Sequence, residues 1–151
     1  MLAIIGGSGL TRLSTLSVAH REVVRTPYGD PSSTLLFGQV AGVDAVFLAR
    51  HGHGHTIPPH RVNYRANLWA LKDKGASAVL AVASVGGICR CSPGDLVLPH
   101  QIIDYTSGRE ATYFDGGEGN LAHVDFTHPY TPMLREKCLA AAAAAQLPLQ
   151  D

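Results

Sequence analysis

The sequence predicts an α/β protein: a mixed β-sheet with flanking helices, in one domain spanning residues 1–151. Three observations predict it. Short apolar runs bounded by glycine alternate with one segment of clear helical period, the pattern of strands and helices packed in layers. Two of those runs, Leu2–Ile5 and Ala78–Ala83, are continuously apolar, as parallel strands buried on both faces are. With 151 residues, 46% hydrophobic and 16% charged, the chain is long enough and apolar enough for a single real core.

Taken in order, Leu2–Ile5 stops at Gly6-Gly7-Ser8-Gly9 and reads as a buried strand entering a tight turn. Val18–Thr26 reads as extended and ends at the Pro27–Pro31 turn. Thr34–Val40 and Val43–Ala49 are rich in β-formers and separated by Ala41-Gly42, which predicts a hairpin. Arg50–His60 is a loop by its Gly and Pro content. Val62–Lys74 has helical period, with Tyr64, Leu68 and Leu71 on the apolar face, Asn63, Asn67 and Lys74 on the polar one, and Gly75 as its stop. Ala78–Ala83 reads as a strand buried on both faces, and Asp95–Pro99 and Gln101–Tyr105 as two further short strands. Thr106–Tyr130 is a long glycine-containing loop, and Met133–Ala145 a helix of high propensity. Two helices are too few to cover both faces of five or six strands. The chain is therefore expected to be the front portion of a longer fold.

Several classes are excluded or disfavoured. No apolar run approaches the roughly 18 residues of a membrane span, and the first ten residues lack the basic start of a signal peptide. The three cysteines, Cys89, Cys91 and Cys138, have no metal-finger spacing and suit a reducing cytoplasm. Net charge is zero, which argues against a nucleic-acid partner. The charge is nonetheless uneven: residues 1–100 hold nine basic and five acidic side chains, and residues 101–151 three and seven. Four of the eight histidines lie at His51, His53, His55 and His60, a local basic stretch suited to a small anion.

In open α/β sheets, ligands bind beyond the carboxyl ends of strands. Three such ends carry anion chemistry. Gly6-Gly7-Ser8-Gly9 offers backbone N–H groups and the Ser8 hydroxyl, and Arg50-His51-Gly52 delivers a guanidinium whose fork matches phosphate. Ala83-Ser84-Val85-Gly86-Gly87 offers further small-residue donors. A glycine turn after a strand is ordinarily just a turn, and a lone arginine ordinarily a surface ion pair; three in one chain point to a phosphate or nucleotide-like anion. Nicotinamide binding would want G-x-G-x-x-G, but Arg12 stands at the third glycine position after Gly7 and Gly9. A metal held by His51, His53 and His55 has no carboxylate nearby until Asp73 and is not expected.

The segments IIGGSGL, TPYGDPSS, FLARHGHGHTIPPHRVNYRANLWALK and PHQIIDYTSGREATYFDG occur in this order and cover nearly the whole chain. Together they resemble the methylthioadenosine and methylthioinosine phosphorylase branch of the purine nucleoside phosphorylases. The RHG-x-x-H and NYRAN block is the specific part. The resemblance implies a nucleoside-phosphorylase-like fold without its C-terminal part. It also implies phosphorolysis of a 5′-methylthio purine nucleoside, methylthioinosine favoured, with methylthioadenosine or a 6-oxopurine nucleoside as alternatives. Phosphate would be bound by Ser8, Arg50, His51 and the main chain of Ala83 and Ser84. Val85 and Gly86 would approach the purine, and His123 would reach a neighbouring subunit's 5′-substituent pocket in a cytoplasmic homotrimer. Inorganic phosphate is a co-substrate, and no metal or organic cofactor is implied. Residues 1–151 by themselves are not expected to turn over substrate. A rival of another class is a non-catalytic module that binds a nucleotide or anion.

Overall fold

The computed structural model describes residues 1–7, 9, 16–88, 91–116 and 121–151. They form two compact units: Met1–Ser84 with Gly108–Tyr113, and Val85–Ser107 with Phe114–Asp151.

The first unit is a five-stranded mixed sheet in the order β2-β3-β4-β1-β5. Its strands are β1 (Leu2–Gly6), β2 (Leu16–Glu22), β3 (Leu35–Val40), β4 (Val43–Ala49) and β5 (Ala78–Ala81). The predicted hairpin is β3–β4, antiparallel and paired from Val40↔Val43 to Leu36↔Phe47. Its two-residue turn has φ of 50° at Ala41 and 79° at Gly42, the double left-handed geometry that matches strand twist. β1 lies parallel between β4 and β5, and this central place explains its unbroken apolar run. Ala3 and Ile5 join Leu35, Val46, Leu48, Ala70 and Leu71 in one cluster, whereas Ile4 joins Leu36, Ala45 and Phe47 in another. Alternate residues of one strand thus feed two separate cores.

Helix α1 (Tyr64–Asp73) supplies Ala70 and Leu71 to the first cluster. Asn63 caps its start, Oδ1 accepting the Ala66 N–H at 3.0 Å while Nδ2 donates to the Tyr28 carbonyl at 2.7 Å. Gly75, at φ 83°, ends it, and the Ala76 N–H reaches back to the Leu71 carbonyl at 3.0 Å. Asn67 is not on the polar side that its helical position predicts. It is 2% exposed, and its amide exchanges two hydrogen bonds with Ser32, accepting from the backbone N–H at 2.7 Å and donating to Oγ at 2.9 Å. A buried amide satisfied at both ends substitutes for an apolar contact there.

The second unit contains β6 (Leu96–Val97), helix α2 (Pro132–Ala144) and β7 (Leu149–Gln150), with β6 and β7 parallel. Arg135 is 9% exposed, and its guanidinium donates to the carbonyls of Leu98 and Pro99 and pairs with Asp151. It joins the helix to residues beside both strands.

Two sequence expectations are corrected. Among the described residues β5 lies at the end of the sheet, where burial on both faces was expected: it pairs with β1, and Val79 and Leu80 are each 39% exposed. Gln101–Tyr105 is not a strand. Gln101 Oε1 accepts the Ile102 N–H, and Asp104 accepts the Thr106 N–H and hydroxyl, local bonds that compete with a ladder.

Candidate anion site at the carboxyl ends of three strands

Sheet order alone decides which strand ends can meet. β4, β1 and β5 are adjacent and parallel, so their carboxyl ends fall on one edge of the sheet. The register pairs Gly6 with Ala49 and Ile5 with Ala81. The ladder runs one residue further on each side: the Arg50 N–H donates to the Gly6 carbonyl at 2.9 Å, and the Val82 N–H to the Ile5 carbonyl at 2.8 Å. Gly6-Gly7, Arg50-His51 and Val82-Ala83-Ser84 therefore leave the sheet side by side.

The Arg50 side chain spans this edge. Nη1 donates to the Val82 carbonyl at 3.1 Å and Nε to His51 Nε2 at 3.3 Å. His51 is held in turn by one residue of the following loop. Its Nδ1 lies 2.9 Å from the Ile57 carbonyl oxygen, and its own carbonyl accepts the Ile57 N–H at 2.9 Å. This reciprocal clamp needs a tight loop. Gly52 and Gly54 supply φ of 76° and 81°, and His55 also adopts φ of 60°. Gly52 has no room for a side chain that would not disturb its neighbours: a Cβ would meet Thr56 Oγ1 at 3.0 Å.

The histidine alternation does not bring three rings to one point. His51 and His55 lie against each other, with ring centroids 4.7 Å apart, but His53 Nε2 is bonded to Thr34 Oγ1 at 2.8 Å. Among the described residues no group of three or more His, Cys, Asp and Glu is arranged to hold a metal ion.

Of the residues singled out by sequence, Arg50 and His51 are half-buried and in contact, while Ala83 and Ser84 follow the strand end that Arg50 grips and are exposed. Ser8 lies outside the described residues. Val85, Gly86 and His123 belong to the second unit, where all three are exposed. Sequence reasoning missed the main-chain partners, Val82 O and both polar groups of Ile57, because a backbone atom leaves no mark on residue identity. It also missed the strap Gly108–Tyr113 on the start of α1. There Glu110 pairs with Arg65, the Tyr113 hydroxyl donates to the Arg65 carbonyl at 2.6 Å, and the Arg109 guanidinium lies 5.5 Å from the Tyr64 ring centroid.

The model of the phosphorylase superfamily matches residues 1–151, and the chain belongs to that family. It is 49% identical over 150 residues to a probable S-methyl-5′-thioinosine phosphorylase of Pseudomonas syringae pv. tomato, covering 99% of this chain and 61% of the relative. A 6-oxopurine nucleoside phosphorylase of Pyrococcus furiosus is 44% identical, with 97% of this chain and 57% of that protein covered. Among solved structures, methylthioadenosine phosphorylase from Schistosoma mansoni in complex with adenine superposes with a TM-score of 0.86 at 40% identity. That match covers 95% of this chain and 53% of the other. The chain thus spans between half and two thirds of the length of these proteins. No helix among the described residues is long and apolar enough to cross a membrane.

Proposed function

We propose that this chain carries the phosphate cradle of a phosphorylase that cleaves a 5′-methylthio purine nucleoside, with S-methyl-5′-thioinosine the favoured substrate. The observation that carries the proposal is the Arg50 guanidinium, bonded to the Val82 carbonyl and to His51 at the shared edge of three parallel strands. Its Nη1 bond to Val82 holds it in place, and the rest of the fork, with Nε–H once that leaves His51, is the part that an oxyanion takes up. Ser8, His51 and the main chain of Ala83 and Ser84 complete the cradle. Val85 and Gly86 are assigned to the purine, and His123 to the 5′-substituent pocket of a neighbouring copy in a homotrimer.

In this reaction a phosphate oxygen forms a bond to the anomeric carbon of the ribose. The bond from that carbon to the purine nitrogen breaks with inversion, and the electron pair leaves with the base, which gains one proton as the hydrogen phosphate gives one up. The products are free purine and 5-methylthioribose 1-phosphate. The sugar passes through an oxocarbenium-like state, which the phosphate dianion stabilises electrostatically. The protein contributes by fixing that dianion in line for attack. Phosphate is the co-substrate, and neither a metal nor an organic cofactor has a role.

The names of the relatives support a second reading at the purine, because they include both 6-amino and 6-oxo substrates. Purine release from methylthioinosine, methylthioadenosine and inosine, each with and without phosphate, tests both levels in the natural product that carries this sequence. Release is expected to require phosphate and to be fastest with methylthioinosine. Preference for another nucleoside moves the assignment to that substrate. No release from any of the three contradicts the enzyme and leaves an anion-binding module.

A further inference from the structure

The two ring nitrogens of His51 are committed to opposite roles. Nδ1 stands 2.9 Å from the Ile57 carbonyl oxygen, which can only accept, so Nδ1 carries a proton. Nε2 receives the Arg50 Nε–H at 3.3 Å, and a guanidinium can only donate, so Nε2 holds a lone pair. The ring is therefore the neutral Nδ1–H tautomer. Both constraints rest on anchored atoms. Ile57 is fixed by its N–H on the His51 carbonyl at 2.9 Å, and Arg50 by the Val82 carbonyl at 3.1 Å. The other titratable ring against His51 is His55, tilted by 43° with its centroid 4.7 Å away.

An acceptor is an unusual thing to place in an anion cradle, where donors are the rule. It becomes useful when the anion itself carries a proton. Near neutral pH inorganic phosphate always bears at least one P–OH, whereas sulfate, of the same tetrahedral shape, bears none. A lone pair facing the bound anion accepts from P–OH and is left opposite an unprotonated oxygen by sulfate.

We propose that His51 Nε2, held as a hydrogen-bond acceptor, selects protonated phosphate over sulfate at this site. The proposal rests on the reading of Arg50 and His51 as a phosphate cradle. On binding, the P–OH takes the place of the Arg50 Nε–H at Nε2, while Nδ1–H stays on the Ile57 carbonyl, Nη1 stays on the Val82 carbonyl, and the freed Nε–H joins Nη2 on the anion. HPO4²⁻ and sulfate carry the same charge, so Arg50 attracts both, and the discrimination falls to His51.

Calorimetric titration of the protein with inorganic phosphate and with sulfate, in the wild type and in Arg50→Ala and His51→Ala, tests it. Phosphate is expected to bind at least about tenfold more tightly than sulfate, as one hydrogen bond to a charged group allows. His51→Ala should lose that ratio mainly through weaker phosphate binding. The ¹⁵N spectrum of the His51 ring in the wild-type phosphate complex gives a readout that survives if the variant fails to fold, and the neutral Nδ1–H form is expected. An imidazolium in that complex, or the same phosphate-to-sulfate ratio with and without His51, overturns the proposal. Phosphate binding that Arg50→Ala leaves unchanged overturns the cradle itself, and this inference with it. Phosphate and sulfate binding equally, both weakened by Arg50→Ala, defeats the His51 inference alone.

Discussion

Asn67 shows how much a single residue can hide from a periodicity argument. Its position on α1 is polar by spacing, yet the side chain is buried and closes a two-bond ring with Ser32. Asn67→Leu should leave the buried Ser32 N–H without its acceptor, lowering stability by about 1–3 kcal/mol in chemical denaturation; an unchanged midpoint would contradict the pairing. Lys74 is a milder case at the end of the same helix. Its hydrogen bond to Glu22 holds its pKa above the ordinary 10.5, partly offset by desolvation and reinforced by the charges of Glu22 and Asp73. Because the folded-state value is the raised one, the contribution is fully present below the unfolded-state pKa. It is lost as pH rises through the folded-state value. Thermal melts across the alkaline range should therefore show a decline above about pH 10.5 that Glu22→Gln reduces.

At the scale of elements, the β3–β4 turn places an alanine where asparagine is preferred. Ala41 sits at φ 50° before Gly42. Ala41→Asn should raise stability by about 0.5–1 kcal/mol, since asparagine tolerates the left-handed region that alanine resists. The opposite outcome is expected at Gly38. The β2–β3 ladder shifts register between Val18 and His20, and a Cβ on Gly38 would lie 1.9 Å from the Ser17 carbonyl oxygen. Backbone cannot move out of the way as a side-chain tip can, so Gly38→Ala should separate these strands and destabilise the sheet edge; a wild-type melting curve would refute this. β1, the hairpin and both helices were legible because each depends on local pattern: unbroken apolar run, β-rich segments around Ala41-Gly42, helical period stopped by Gly75 for α1, and high propensity for α2. β5 and Gln101–Tyr105 were not. Burial of an apolar strand depends on what lies beside it, and among the described residues β5 has a strand on one side only.

For the whole molecule, parallel pairing of β1 with both β4 and β5 turns separated sequence signals into one place. Arg50 and Val82 are 32 residues apart and are joined by a single hydrogen bond of 3.1 Å. The residue types were readable in advance, because glycine turns and an arginine after apolar runs mark strand ends suited to anions. Their convergence was not, since it follows from strand order. The contribution of the Ile57 main chain was equally invisible, and it is what fixes the proton on His51.

The most direct test of the phosphate cradle compares Arg50→Ala with the wild type in the natural product that carries this sequence, titrating phosphate and nucleoside separately. Removing a charge-assisted donor should weaken anion binding by about 1.5–3 kcal/mol. The KM for phosphate is thus predicted to rise roughly 10- to 150-fold while that for methylthioinosine changes little. Equal effects on both substrates, or none on phosphate, would contradict the assignment of Arg50 and the strand edge that presents it.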